Sequence, residues 1–204
     1  YREASVERQG TLSAQKLAAV ATPRTFCVCY FGGDPASQML HALATSKLLA
    51  VRGVRVCWET NGSMHPRLLD SALRYASETG GCIKFDLKAW NETLHIALTG
   101  VSNRQTIANF AHLAQRIPSR PVPPFLIAGT LMVPGYIDAR EVLQIAEFIA
   151  GLDPDIPYSL LAFRPQSHMG DLPPTSRRQA DACLKAARKA GLKRVRIGNE
   201  HLLF

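Results

Sequence analysis

The sequence predicts an α/β fold built on a parallel sheet, and three observations carry that prediction. Short apolar runs alternate with amphipathic stretches along the 204 residues. The runs are close to continuously apolar, as strands covered on two faces must be, and do not alternate in and out as half-solvated antiparallel strands do. Polar residues gather directly after the runs, at the carboxyl ends of strands, where α/β proteins bind ligands. Right-handed crossovers between such strands give either an open doubly wound sheet or a barrel.

Taken in order, the spacing predicts a helix over 12–21 and a strand over 26–31, then a helix over 36–51 and a strand over 54–60. A helix over 66–79 leads to a strand over 82–87, and one over 102–116 to a strand over 125–133. Helix 139–150 precedes strand 157–163, and helix 176–190 precedes a last strand near 193–197. The Pro-rich stretch over 118–124 reads as a stiff loop, and no linker divides the chain, so 1–204 is expected to form one domain. The amino end over 1–7 has no apolar signal core and no initiating methionine, which reads as part of a longer product.

Composition narrows the function classes. No apolar stretch is long enough to cross a bilayer. The formal charge of +8, from 24 Lys and Arg against 16 Asp and Glu, would suit an anionic partner. Its densest basic stretches, Arg177-Arg178 and Lys185 through Arg196, lie at helical spacing without aromatic residues to stack on bases. They read as a solvated helix face, so nucleic acid is not expected as a partner. Five cysteines, an odd count lying largely in apolar runs, suit reduced core thiols in a cytoplasmic protein. Cys27 and Cys29 share one face of a strand but have no second pair at a metal-ligand spacing. The six histidines show no such spacing either.

The polar residues after the strands are the candidate site. Strand 26–31 runs into Gly32-Gly33-Asp34-Pro35, bare backbone followed by an acid able to pair with an amine. Strand 54–60 ends in Glu59-Thr60-Asn61-Gly62, and strand 82–87 carries Asp86 with Lys88 beyond it. Asp86 and Lys88, two apart, face one side, as a buried ion pair beside a ligand or as a salt bridge on the rim. Glu59, Thr60 and Asp86 supply oxygens suited to a hard cation. Strand 157–163 ends at Arg164, whose planar fork suits a carboxylate.

In order along the chain, Gly-Gly-Asp-Pro (32–35), Glu-Thr-Asn-Gly (59–62), Phe-Asp-Leu-Lys (85–88) and Leu-Thr-Gly-Val-Ser-Asn (98–103) are followed by Val-Pro-Gly-Tyr-Ile-Asp (133–138). Ser-Leu-Leu-Ala-Phe-Arg-Pro (159–165) and Arg-Val-Arg-Ile-Gly-Asn (194–199) complete the series. This order resembles the radical S-adenosylmethionine superfamily, in particular proteins like the pyruvate formate-lyase activating enzyme and the AmmeMemoRadiSam system proteins. The resemblance implies a partial (β/α) barrel of parallel strands, here without its first strand and cluster loop. It implies that Gly32, Gly33, Asp34 and Pro35 meet the methionyl amino group of S-adenosylmethionine, with Asp34 where many relatives carry Glu. Thr60, Asn61, Asp86, Lys88 and Arg164 would complete that cofactor site, with Arg164 where those enzymes often carry His. Glu59, Thr60 and Asp86 would be ligands to a monovalent cation.

The same resemblance implies a 4Fe-4S cluster held by a Cys-x-x-x-Cys-x-x-Cys loop, and no such spacing occurs in the chain. That segment is expected ahead of residue 1, so the chain by itself is expected to be inactive. With the cluster, the intact enzyme would cleave S-adenosylmethionine to a 5′-deoxyadenosyl radical that abstracts hydrogen from a substrate, a protein glycine being one candidate. A flavodoxin or ferredoxin would serve as reductant. Two other readings stand beside this one: a cluster-free binding or scaffold domain, and an RNA-modifying enzyme of the same superfamily.

Overall fold

A computed structural model describes residues 11–116, 120 and 122–204. The amino end over 1–7 and part of the Pro-rich stretch lie outside those residues. The described residues form one six-stranded, all-parallel sheet: β1 (Cys27–Tyr30), β2 (Arg55–Thr60), β3 (Ile83–Asp86), β4 (Leu126–Met132), β5 (Tyr158–Ala162) and β6 (Val195–Ile197). Their order across the sheet is their order along the chain. A right-handed crossover to the next neighbour, repeated in one direction, stacks every helix on the same face. That is the winding of a (β/α) barrel; a doubly wound sheet reverses its strand order partway.

Burial follows from this winding. Along β3, Ile83 and Phe85 are fully buried while Lys84 and Asp86 are only partly covered. Tyr30, Trp58, Phe85 and Tyr158 belong to the helix-covered face, where Tyr30 stacks on Trp58 at 4.6 Å and Phe85 meets Phe110 edge-on at 5.4 Å. Burial also raises the Tyr158 hydroxyl above its usual range, so it stays a donor, to Thr130 Oγ1 at 2.8 Å. The strands are therefore not apolar on two faces as their sequences read. The opposite face carries Cys27, Cys29, Glu59, Lys84 and Asp86 and, among the described residues, has no helix over it, the arrangement of an open barrel interior.

The helices start and stop for local reasons. α1 (Ala14–Val20) is capped by Ser13, and α3 (Pro66–Glu78) has proline in its first turn, where no backbone N–H is needed. Predicted helix 36–51 begins instead as a 3-10 turn, Pro35–Gln38, before α2 (Met39–Val51). A further helix, α4 (Glu92–Thr99), lies where none is predicted; Asn91 caps its start and Gly100, at φ 79°, ends it. α5 (Arg104–Ala114), α6 (Ala139–Leu152) and α7 (Arg177–Lys189) match their predicted spans to within a residue or two at each end. Asp138, the last residue of the Val-Pro-Gly-Tyr-Ile-Asp motif, caps α6 by accepting from the Arg140 and Glu141 N–H groups. Among the described residues no helix is long and apolar enough to cross a membrane.

Candidate functional site

Beyond β1 the chain turns through Gly32 and Gly33 at φ 76° and 137°, values that strain any residue with a Cβ. A Cβ on Gly33 would meet nothing within 4 Å, so backbone conformation alone requires glycine there and the bare turn borders open space. Asp34 follows and caps the 3-10 turn. Its Oδ1 accepts from the Ala36 N–H at 2.9 Å and from the Thr60 hydroxyl at 2.8 Å, and its Oδ2 accepts from the Asn61 N–H at 2.5 Å. Pro35, buried, presets the turn. The acid at the end of β1 thus ties the end of β2 to the 3-10 turn that leads into α2. A carboxylate offers about four acceptor positions, and donors among the described residues take three of them.

The Glu59-Thr60-Asn61-Gly62 segment is braced from behind. Thr60 Oγ1 accepts from the Gly62 N–H at 3.1 Å. Gly62 sits at φ 69°, and a Cβ there would fall 2.2 Å from Phe85 Cε1. The Thr106 hydroxyl on α5 donates to the Asn61 carbonyl at 2.7 Å, and Asn109 Nδ2 donates to the Gly62 and Met64 carbonyls at 2.7 and 2.8 Å. Thr106 and Asn109 are buried polar residues that the sequence reading passes over. Their signal is polar side chains on the inward side of an amphipathic helix.

At the next strand end, Lys88 Nζ meets Asp86 Oδ2 at 3.1 Å with the two side chains 39% and 38% exposed. Of the two arrangements open from the sequence, this is the solvent-screened rim salt bridge. Lys84, unremarked in the sequence, pairs with Glu59 Oε2 at 3.0 Å on the same open face. Gly129 leaves room for this row: a Cβ on it would lie 3.2 Å from Lys84 Cε and 3.7 Å from Asp86 Oδ1. Asn103 Nδ2 donates to the Ala89 and Trp90 carbonyls, Glu141 Oε2 accepts from the Trp90 and Asn91 N–H groups, and Thr130 donates to the Leu87 carbonyl. These bonds fix the loop that carries Lys88.

The three oxygen residues considered for a cation do not stand on one face. Thr60 is buried and turned to Asp34, whereas Glu59 and Asp86 lie on the open face against Lys84 and Lys88. Among the described residues there is no group of three His, Cys, Asp or Glu side chains close enough to hold a metal ion. Arg164 follows β5 and is exposed. Because every strand runs the same way, Gly32 through Pro35, Thr60, Asn61, Asp86, Lys88 and Arg164 all stand at one edge of the sheet, its carboxyl edge. Asp34, Thr60 and Asn61 touch.

A singly wound parallel sheet, with a di-glycine turn and polar groups along its carboxyl edge, is a partial (β/α) barrel. The chain is homologous to activating enzymes of glycyl-radical enzymes. It is 30% identical over 133 residues to the isethionate sulfite-lyase activating enzyme of Desulfovibrio desulfuricans, covering 65% of this chain and 40% of that one. It is 29% identical over 119 residues to the (2S)-3-sulfopropanediol sulfolyase activating enzyme of Bilophila wadsworthia, 58% of this chain and 37% of that one. The chain thus spans about two fifths of the length of these relatives. Among solved structures, a domain of pyruvate-formate lyase-activating enzyme from Bacteroides vulgatus superposes with a TM-score of 0.67 at 20% identity, covering 84% of this chain and 98% of that one. Streptococcus suis SuiB bound to S-adenosylmethionine superposes with a TM-score of 0.71 at 11% identity, over 95% of this chain and 45% of that one. No family model matches the chain.

Proposed function

We propose that this chain is the S-adenosylmethionine-binding core of an activating enzyme that takes a hydrogen atom from a glycine of a partner protein. The observation that carries the reading is the Asp34 knot: one carboxylate joins the di-glycine turn to Thr60 and Asn61 at the carboxyl edge, and the described residues leave one acceptor position for an amine. Homology to activating enzymes supports the reaction class.

In this reading Gly32 and Gly33 let the backbone approach the methionyl end closely, and Asp34 orients its amino group. Lys88 offers a cation to the methionyl carboxylate from the neighbouring strand end, and Asp86 holds Lys88 in place. Arg164 offers a second, planar donor from across the edge. A reduced four-iron cluster and S-adenosylmethionine, if bound, would supply the hydrogen-atom abstraction. The residues described do not form a cluster site, so thiols outside these 204 residues would have to hold it, and a flavodoxin or ferredoxin would deliver the electron. All five cysteines are free thiols, in keeping with a cytoplasmic setting.

The test is 5′-deoxyadenosine release by the full-length, anaerobically reconstituted protein under a strong reductant. Asp34→Ala or Lys88→Ala is expected to reduce release at least tenfold. Release unchanged in the two variants defeats the site assignment, and an inert wild-type protein defeats the reaction.

A further inference from the structure

Below the carboxyl edge, the open face of the sheet carries a group of thiols that the proposed cofactor site does not use. Register sets Cys29 beside Cys57 across the β1–β2 pair. The Trp58 N–H bonds to the Cys82 carbonyl at 2.9 Å, which sets Cys82 on the other side of Cys57. Cys27, two residues before Cys29 on the same face, places its Sγ 3.3 Å from Cys57 Sγ. Thiols that merely fill a core belong on the helix-covered face, with Val56, Trp58, Ile83 and Phe85. These four stand on the opposite one, where Cys29 is exposed, Cys27 and Cys82 are partly so, and Cys57 is buried between them. Cys183 lies apart from them, buried on α7.

We propose that Cys27 and Cys57 form an oxidant-responsive dithiol that closes to a disulfide on reaction with a hydroperoxide. One sulfur attacks the peroxide oxygen, the O–O bond breaks, and a sulfenic acid forms with release of water. The second sulfur, already in contact, displaces the hydroxyl as a second water and forms the S–S bond. The sum is two thiols and one hydrogen peroxide giving one disulfide and two waters, with the sulfur pair oxidised by two electrons. A small dithiol reverses it by exchange. The bridge joins β1, the strand that leads into Gly32-Gly33-Asp34, to β2, the strand that ends in Thr60. The chemistry therefore reaches the edge where the cofactor site is proposed without depending on that assignment.

The experiment is peptide mapping of the purified protein after reduction, brief exposure to stoichiometric hydrogen peroxide, and alkylation under denaturing conditions. The expected result is two fewer alkylated cysteines and a cross-linked peptide, two hydrogens lighter than its parts, joining Cys27 to Cys57. Dithiothreitol should restore full alkylation. Cys27→Ser and Cys57→Ser should each abolish the cross-link, and Cys183→Ser should leave it; the wild-type map decides the matter if a variant fails to fold. Five alkylated cysteines, a bridge to Cys29 or Cys82 instead, or a single cysteine carried on to sulfinic acid with no bridge would each overturn the proposal.

Discussion

Replacing Asp34 by alanine removes the acceptor shared by three donors, one of them the buried Thr60 hydroxyl. A buried donor left unpaired costs about 1–3 kcal/mol, so Asp34→Ala should lower the urea unfolding free energy by about that amount. Asp34→Asn, which keeps one oxygen, should lose less. Lys88→Ala should behave in the opposite sense: its salt bridge is more than a third exposed on each side, and such pairs contribute about 0–1 kcal/mol. Its stability should stay within about 0.5 kcal/mol of the parent while S-adenosylmethionine affinity falls. Equal destabilisation by the two substitutions would contradict this division of roles. The glycines separate in the same way. Gly33→Ala meets only backbone strain, about 1–2 kcal/mol, whereas Gly62→Ala adds a collision with the Phe85 ring and should cost roughly 3 kcal/mol. Thermal melts that rank Gly33→Ala as the more damaging would refute that comparison.

At the scale of elements, the segment from β3 to α5 holds its shape through side chains distant in sequence. Glu141 on α6 accepts from the Trp90 and Asn91 N–H groups at 2.8 and 3.1 Å, and Asn103 donates to the Ala89 and Trp90 carbonyls. Glu141→Ala should therefore speed hydrogen exchange at Trp90 and Asn91 with little change in β3 itself; exchange that is unchanged would show the loop to be held otherwise. This segment is also where sequence reading is weakest. No helix is predicted between strand 82–87 and helix 102–116, yet residues 92–99 are helical, and the signals for that were present in Asn91 as a cap and Gly100 as a stop. The role of Asn199 is equally hidden. It ends the last motif, and its side-chain amide bonds to the Ala162 N–H and carbonyl at 2.6 and 3.0 Å, extending β5 where the backbone of β6 has ended. A side chain standing in for a strand leaves no periodic trace.

Across the whole molecule, the alternation of strands and helices was legible because each apolar run had to be flanked by an amphipathic stretch to cover it. The gathering of polar residues at one edge was legible for a similar reason: parallel strands all end on the same side. Strand faces were less so. Lys84 and Asp86 alternate with Ile83 and Phe85, but the run around them is short, and the apolar residues of β2 and β4 mask the same pattern there. The uncovered face emerges only from the strand order, which puts every helix on one side. A ligand at the carboxyl edge of that sheet touches loops far apart in sequence and nothing on the helical surface. The direct test is hydrogen exchange of the full-length protein with and without saturating S-adenosylmethionine. The account predicts slowed exchange in the segments over 32–36, 60–63, 86–91 and 164–166 together. Protection confined to the helical face or to the amino ends of the strands, or none at all, would contradict it.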